Sequence, residues 1–119
     1  MMIDPGSDLG RRLIASGVPE VDLLHTRIRV WRFQGALTAA LPGGRATILC
    51  PRTWIEDQKG YGYAWRHETV HVAQAARWGF VGYWRRHLAA RLRTRSLLAK
   101  DDPVEIEAYE AERAFSTFR

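Results

Sequence analysis

The chain has 119 residues, a net charge of +5 and a single cysteine, Cys50, so it excludes an intramolecular disulfide and a cysteine-rich structural zinc site. Hydrophobic residues at 46% and charged residues at 26% exclude a disordered tail and fit one globular domain, taken here over residues 1–119. No stretch approaches the ~18 apolar residues of a membrane span, and the start Met1-Met2-Ile3-Asp4 does not read as a signal peptide, so the expectation is a soluble, cytoplasmic protein.

Residues 8–16 predict a short helix, with Asp8 as its cap and Gly17 and Pro19 ending it. Residues 26–33 alternate Ile28, Val30 and Phe33 imperfectly with Arg27, Arg29 and Arg32, the pattern of a strand with one wet face. Leu41-Pro42-Gly43-Gly44 reads as a turn, Ala46–Cys50 as a second strand stopped by Pro51, and Thr53-Trp54-Ile55 as a third, short run. Gly60 and Gly62 give a flexible entry to a helix from about Tyr63 to Trp78, capped by Gly79. A second helix follows from about Val81 to Leu98, with Val81, Trp84, Leu88 and Leu92 as its apolar stripe. The last helix begins at Asp102-Pro103, with Asp102 as cap, and runs to about Phe118. A few strands followed by three helices predict an α+β domain, with a small antiparallel sheet beside a helical half.

The chemistry concentrates in His67-Glu68-Thr69-Val70-His71. Two histidines four residues apart lie on one face of a helix, within reach of one ion. Tetrahedral zinc accepts imidazole nitrogen, and a catalytic site takes three protein ligands and leaves a fourth position open to water. Glu68 lies about 100° around the helix from His67, placed to act as general base on water activated by the metal. It can then pass the proton to a leaving amine. The alternative is a helix whose two histidines and glutamate are surface residues.

The third ligand does not come from an extended HExxHxxGxxH motif. Gln74 stands in its glycine position and Arg77 in its third histidine position. A later helix offers Val104-Glu105-Ile106-Glu107-Ala108-Tyr109-Glu110-Ala111-Glu112. With His67–Gln74 and Glu105-Ile106-Glu107-Ala108 together, roughly residues 45 to 112 resemble the gluzincin-type metallopeptidases, especially the compact, minigluzincin-like ones.

That resemblance implies a zincin-like fold, Zn²⁺ as cofactor, a peptide or protein substrate, and hydrolysis of peptide bonds. In the family the third ligand opens an E-x-x-A/S-D pattern, which implies Glu105 as ligand with Ala108 in register. The family aspartate falls on Tyr109 here, so the carboxylate that fixes a ligand imidazole is missing. The family also implies an edge strand that aligns an extended substrate, with Ala46–Cys50 as candidate. Two alternatives stand beside Glu105 as ligand. Asp102-Pro103-Val104-Glu105 has capping-box spacing, and Glu107 could ligate instead. Glu112 could stand in for the missing aspartate.

Tyr63, Tyr83, His87 and Tyr109 are candidate donors to a developing oxyanion, and Tyr61 and Tyr63 candidate cleft residues. Gln74 either hydrogen-bonds near the site or caps a neighbouring backbone group. His25 stands alone and carries no assignment.

Two other functions remain in view. A closed ligand set, or a cleft blocked by the chain itself, would make a non-catalytic zinc domain. Arg85, Arg86, Arg91, Arg93, Arg95 and Lys100 with Trp84 could make a basic module for nucleic acid or an anionic membrane. On a helical wheel these charges spread widely, which favours a solvated helix over nucleic-acid binding.

Overall fold

The computed structural model describes residues 2–58, 60–94 and 103–116. The predicted cap Asp102 and residues 95–98 of the predicted second helix lie outside them. Helix α1 (Asp8–Ala15) starts at Asp8 itself, and its cap lies one residue before the predicted one, at Ser7, whose Oγ accepts the Gly10 N–H at 3.0 Å. Asp8 instead occupies the first turn, where its charge suits the helix dipole, and pairs with Arg12 at 3.2 Å. Gly10 has no room for a side chain, since a Cβ would lie 2.1 Å from the Asp4 carbonyl oxygen. A short helix, α2 (Glu20–Leu24), which the sequence reading passed over, follows Pro19.

The sheet has three strands, β1 (Thr26–Val30), β2 (Leu37–Leu41) and β3 (Arg45–Cys50), in the order β1-β3-β2. The α+β class holds, but the sheet is mixed and not antiparallel throughout. β1 runs parallel to β3, and β2 antiparallel to it. Pro42-Gly43-Gly44 closes the β2–β3 hairpin, with both glycines at positive φ (85° and 75°), the region such tight turns require. β3 is therefore the central strand and cannot offer a free edge to a substrate. The free edge beside the helical half belongs to β2.

Which β2 residues face that edge follows from β3. Ala46 N–H donates to His25 O and Trp31 N–H to Cys50 O, so the even-numbered residues of β3 turn their polar groups to β1. Bonds to β2 then run through Thr47 and its odd-numbered neighbours, opposite Leu37, Ala39 and Leu41. The backbone N–H and C=O groups of Thr38 and Ala40 turn to the free edge, while their side chains are buried. Their carbonyls accept Tyr83 Oη at 2.7 Å and Trp84 Nε1 at 3.2 Å, so side chains of the helical half cover the edge.

The predicted third strand-like run is a helix, α3 (Arg52–Glu56), which starts after Pro51 and buries Trp54. The Trp54 carbonyl accepts the indole N–H of Trp65, the partner a buried tryptophan requires. Helix α4 (Gly62–Thr94) is two helical segments joined at Gly79, whose φ of 74° and ψ of 175° are not helical. Glycine at the end of the first segment is what the sequence predicts. Helix α5 (Pro103–Ser116) packs on α4.

In the second segment of α4 the apolar stripe faces outward. Val81, Leu88 and Leu92 are 73%, 60% and 69% exposed, while Tyr83, His87 and Ala90 are buried. The inward face is the one that meets β2 and the His67–His71 helix turn, and it is chosen by the tyrosine and histidine.

Candidate metal centre

His67, Glu68 and His71 lie in the first segment of α4, and Glu105 in the first turn of α5. The structure brings these four together. Glu105 spans the two imidazoles, with Oε2 3.1 Å from His67 Nε2 and Oε1 3.3 Å from His71 Nε2. Donor atoms of His67, Glu68 and His71 lie within 4.8 Å of one another, as do those of His71, His87 and Glu105, so two overlapping groups could each hold a small cation. The side chains of His67, His71 and Glu105 are largely shielded, His71 most of all.

The other candidates on α5 separate cleanly. Glu107 bonds to Arg77 Nη2 at 3.1 Å through both oxygens, on the solvent side of the α4–α5 contact. The Glu112 side chain lies outside the described residues. Arg77, in the position of the absent third histidine, thus binds α5 by another charge pair.

Gln74 does both of the things open to it. Its Nε2 donates to the Val104 carbonyl at 3.0 Å, which turns Oε1 toward His71 Nδ1 at 2.8 Å. The network therefore assigns the Nδ1 hydrogen to a bond with Gln74 and directs Nε2 to Glu105. This is the orienting role that a carboxylate plays for many metal-bound histidines. Tyr109, where the resembled family has aspartate, instead packs its ring edge-on against His67, centroids 4.7 Å apart.

The electrostatics match a cation site. Burial alone would push the His71 pKa down. The bond to Glu105, the charges of Glu68 and Glu105 and the Gln74 bond outweigh it, and the net shift is upward. Burial likewise favours neutral Glu105, but its bonds to His67 and His71 and the charges of those imidazoles hold its carboxyl far below the ordinary range. An anion is thus held beside two imidazole nitrogens. A cation bound here would compete with protons for the imidazole nitrogens.

Glu68 is buried and held from the sheet. Thr38 Oγ1 lies 2.7 Å from Glu68 Oε1 and 3.2 Å from the Glu68 carbonyl, and its single proton serves the nearer carboxylate best. Oε2 is left as the oxygen able to take a proton. Thr38 belongs to β2, the strand absent from the sequence reading. Cys50 is no thiolate ligand: burial, and then the Glu68 charge, push its pKa up to about 11.

Of the four candidate oxyanion donors, Tyr83 spends its hydroxyl on Thr38 O, and Tyr63 packs against the core. Tyr61, the other candidate cleft residue, stacks on Trp54. Tyr109 packs on His67, and His87 joins the cluster from the second segment of α4. A donor atom of His87 lies within 4.8 Å of donor atoms of His71 and Glu105, and its ring packs on Tyr83 at 4.1 Å. Nothing in the spacing of His87 to the motif singled it out. Compared with known proteins, the chain matches no family model, no curated protein and no solved structure.

Proposed function

We propose that the chain is a zinc-dependent metallopeptidase whose metal ligands are His67, His71 and Glu105 and whose general base is Glu68. The observation that carries this reading is the Glu105 carboxylate bridging both histidines from a different helix. Zinc held there supplies the polarisation that makes water acidic near neutral pH and a carbonyl electrophilic.

The chain's own residues do the rest. Gln74 fixes the His71 tautomer, so that Nε2 faces the metal. Thr38 holds Glu68 through Oε1, and Glu68 Oε2 accepts the proton of the attacking water and returns it to the leaving amine. A peptide substrate would enter without pairing on the outward carbonyls of Thr38 and Ala40 unless Tyr83 and Trp84 withdraw.

The test is zinc content and peptide cleavage for wild type and Glu68→Gln. The substituted protein is expected to keep its zinc and lose hydrolysis by about 10²–10⁴-fold. Loss of zinc together with activity would make Glu68 structural and remove the mechanism.

A second reading rests on His87 and on the covered edge of β2. If His87 completes the coordination, the set is closed and the zinc is structural. In that case His87→Ala weakens zinc binding as strongly as loss of another ligand. In the catalytic reading it leaves zinc binding near the wild-type level.

A further inference from the structure

We propose that the second segment of α4 docks flat on an anionic lipid surface, a function separate from the metal centre. Val81, Trp84, Leu88 and Leu92 fall within one quarter of the helix circumference and are 73%, 37%, 60% and 69% exposed. The opposite face, Tyr83, His87 and Ala90, is buried against the rest of the chain. The segment therefore turns Tyr83, His87 and Ala90 inward and presents an aliphatic stripe to solvent, with Trp84 at its border, where the indole N–H reaches back to Ala40 O. Phe80, also half exposed, extends the apolar surface at the segment's start. An apolar stripe this continuous marks an interaction surface.

Charge identifies the occupant. Residues 80–94 contain Arg85, Arg86, Arg91 and Arg93 and no acidic residue. The remaining chain has 14 cations against 13 acids, so this one segment accounts for four of the net +5. A helix with leucine, valine and tryptophan on one face, and arginine over much of the rest, has the composition of one that lies in a membrane interface. Arginine stems can follow the apolar surface while the guanidinium reaches lipid phosphate.

A second copy of the chain is a poorer complement, because pairing two such segments brings like charges together with no anion between them. Nucleic acid would engage the arginines and leave the aliphatic stripe unpaired. Among the described residues no helix is long and apolar enough to cross a membrane, and the proposed segment lies on the surface.

The experiment uses the full chain in flotation with vesicles of phosphatidylcholine plus phosphatidylserine, and of phosphatidylcholine alone. Binding is expected to the mixed vesicles, to weaken with salt, and to be slight on the neutral ones. Leu88→Asp combined with Leu92→Asp should reduce it by more than about a hundredfold. Arg85→Ala should reduce it by roughly fivefold. Both leucines are mostly exposed, so circular dichroism of the double variant should match wild type.

Three results would overturn the proposal. One is absence of binding by folded wild type. Another is binding indifferent to the leucines, which assigns the charge to nucleic acid or to non-specific attraction. The third is a concentration-dependent dimer abolished by the same substitutions, which assigns the face to a second copy.

Discussion

The two segments of α4 invert the usual distribution of polar and apolar residues in opposite ways. Before Gly79 the helix buries charge and amide: Glu68, His71 and Gln74 are all inside. After Gly79 it exposes aliphatic side chains: Val81, Leu88 and Leu92 are all outside. Buried polar groups and exposed apolar ones are the informative departures from core-inside packing. In the first segment every inversion has a partner: Thr38 for Glu68, Glu105 and Gln74 for His71, and Val104 for Gln74. In the second, Val81, Leu88 and Leu92 stay mostly exposed, and of the stripe Trp84 alone is held back among the described residues, by its bond to Ala40 O. Satisfied burial points to a site built within the molecule, whereas unsatisfied exposure points to a contact made outside it.

Breaking the first half of this comparison should have the largest effect. Glu105→Ala removes the anion that both histidines face, and zinc affinity is expected to fall by more than the roughly 10–100-fold that an orienting neighbour contributes. Glu107→Ala, two residues on, removes only an exposed pair with Arg77 and should leave zinc affinity unchanged. Titration calorimetry with zinc on both variants separates them. Equal losses would mean that α5 docking, and not ligation, is what Glu105 provides.

Acidity probes the same half more gently. His71 has a raised pKa in the folded chain, so without metal its contribution to stability is complete below the ordinary histidine value of about 6.5 and fades as pH rises through the folded value. Glu105 has a lowered pKa, so its contribution is present above about 4.5 and lost as pH falls toward the folded value. In chelator the cluster therefore stabilises the fold most between about pH 4.5 and 6.5 and less once pH has risen through the folded His71 value. If zinc binds His71 it competes with that proton, so the stabilisation conferred by zinc should rise with pH where that of the metal-free cluster falls. Melting curves with chelator and with zinc test the opposite slopes, and parallel slopes would disconnect His71 from the metal.

The legible parts of this molecule were those fixed by local spacing. His67, Glu68 and His71 share a helix turn by period alone, and Gly79 ends the first segment because glycine takes the left-handed conformation readily. The approach of Glu105 rested on a resemblance, since no local rule brings α5 onto α4. β2 was missed because Leu37-Thr38-Ala39-Ala40-Leu41 has little of the β-branched and aromatic content that marks strands. Missing it hid Thr38, and with it the support of Glu68. It also placed the free edge on β3, which the parallel pairing with β1 makes central. The wheel found the stripe of the second segment correctly, but a wheel shows which residues share a face and not which face turns inward. Tyr83 and His87 decide that, through β2 and the His71–Glu105 cluster, neither of which a single helix can reveal.

The smallest expected effect sharpens the second half of the comparison. Leu88→Ser changes a residue that is 60% exposed and should alter unfolding free energy by no more than about 0.5 kcal/mol. Tyr83→Phe, on the opposite face, removes only one oxygen, yet that hydroxyl is the donor to the outward carbonyl of Thr38. Leaving a buried acceptor unpaired costs about 1–3 kcal/mol, so the smaller chemical change should be the more damaging one. Urea unfolding of the two variants measures the difference directly. If Leu88→Ser proves the more destabilising, the aliphatic stripe contributes to the fold of the free chain, and the division of α4 into an inward-facing and an outward-facing half fails at its second segment.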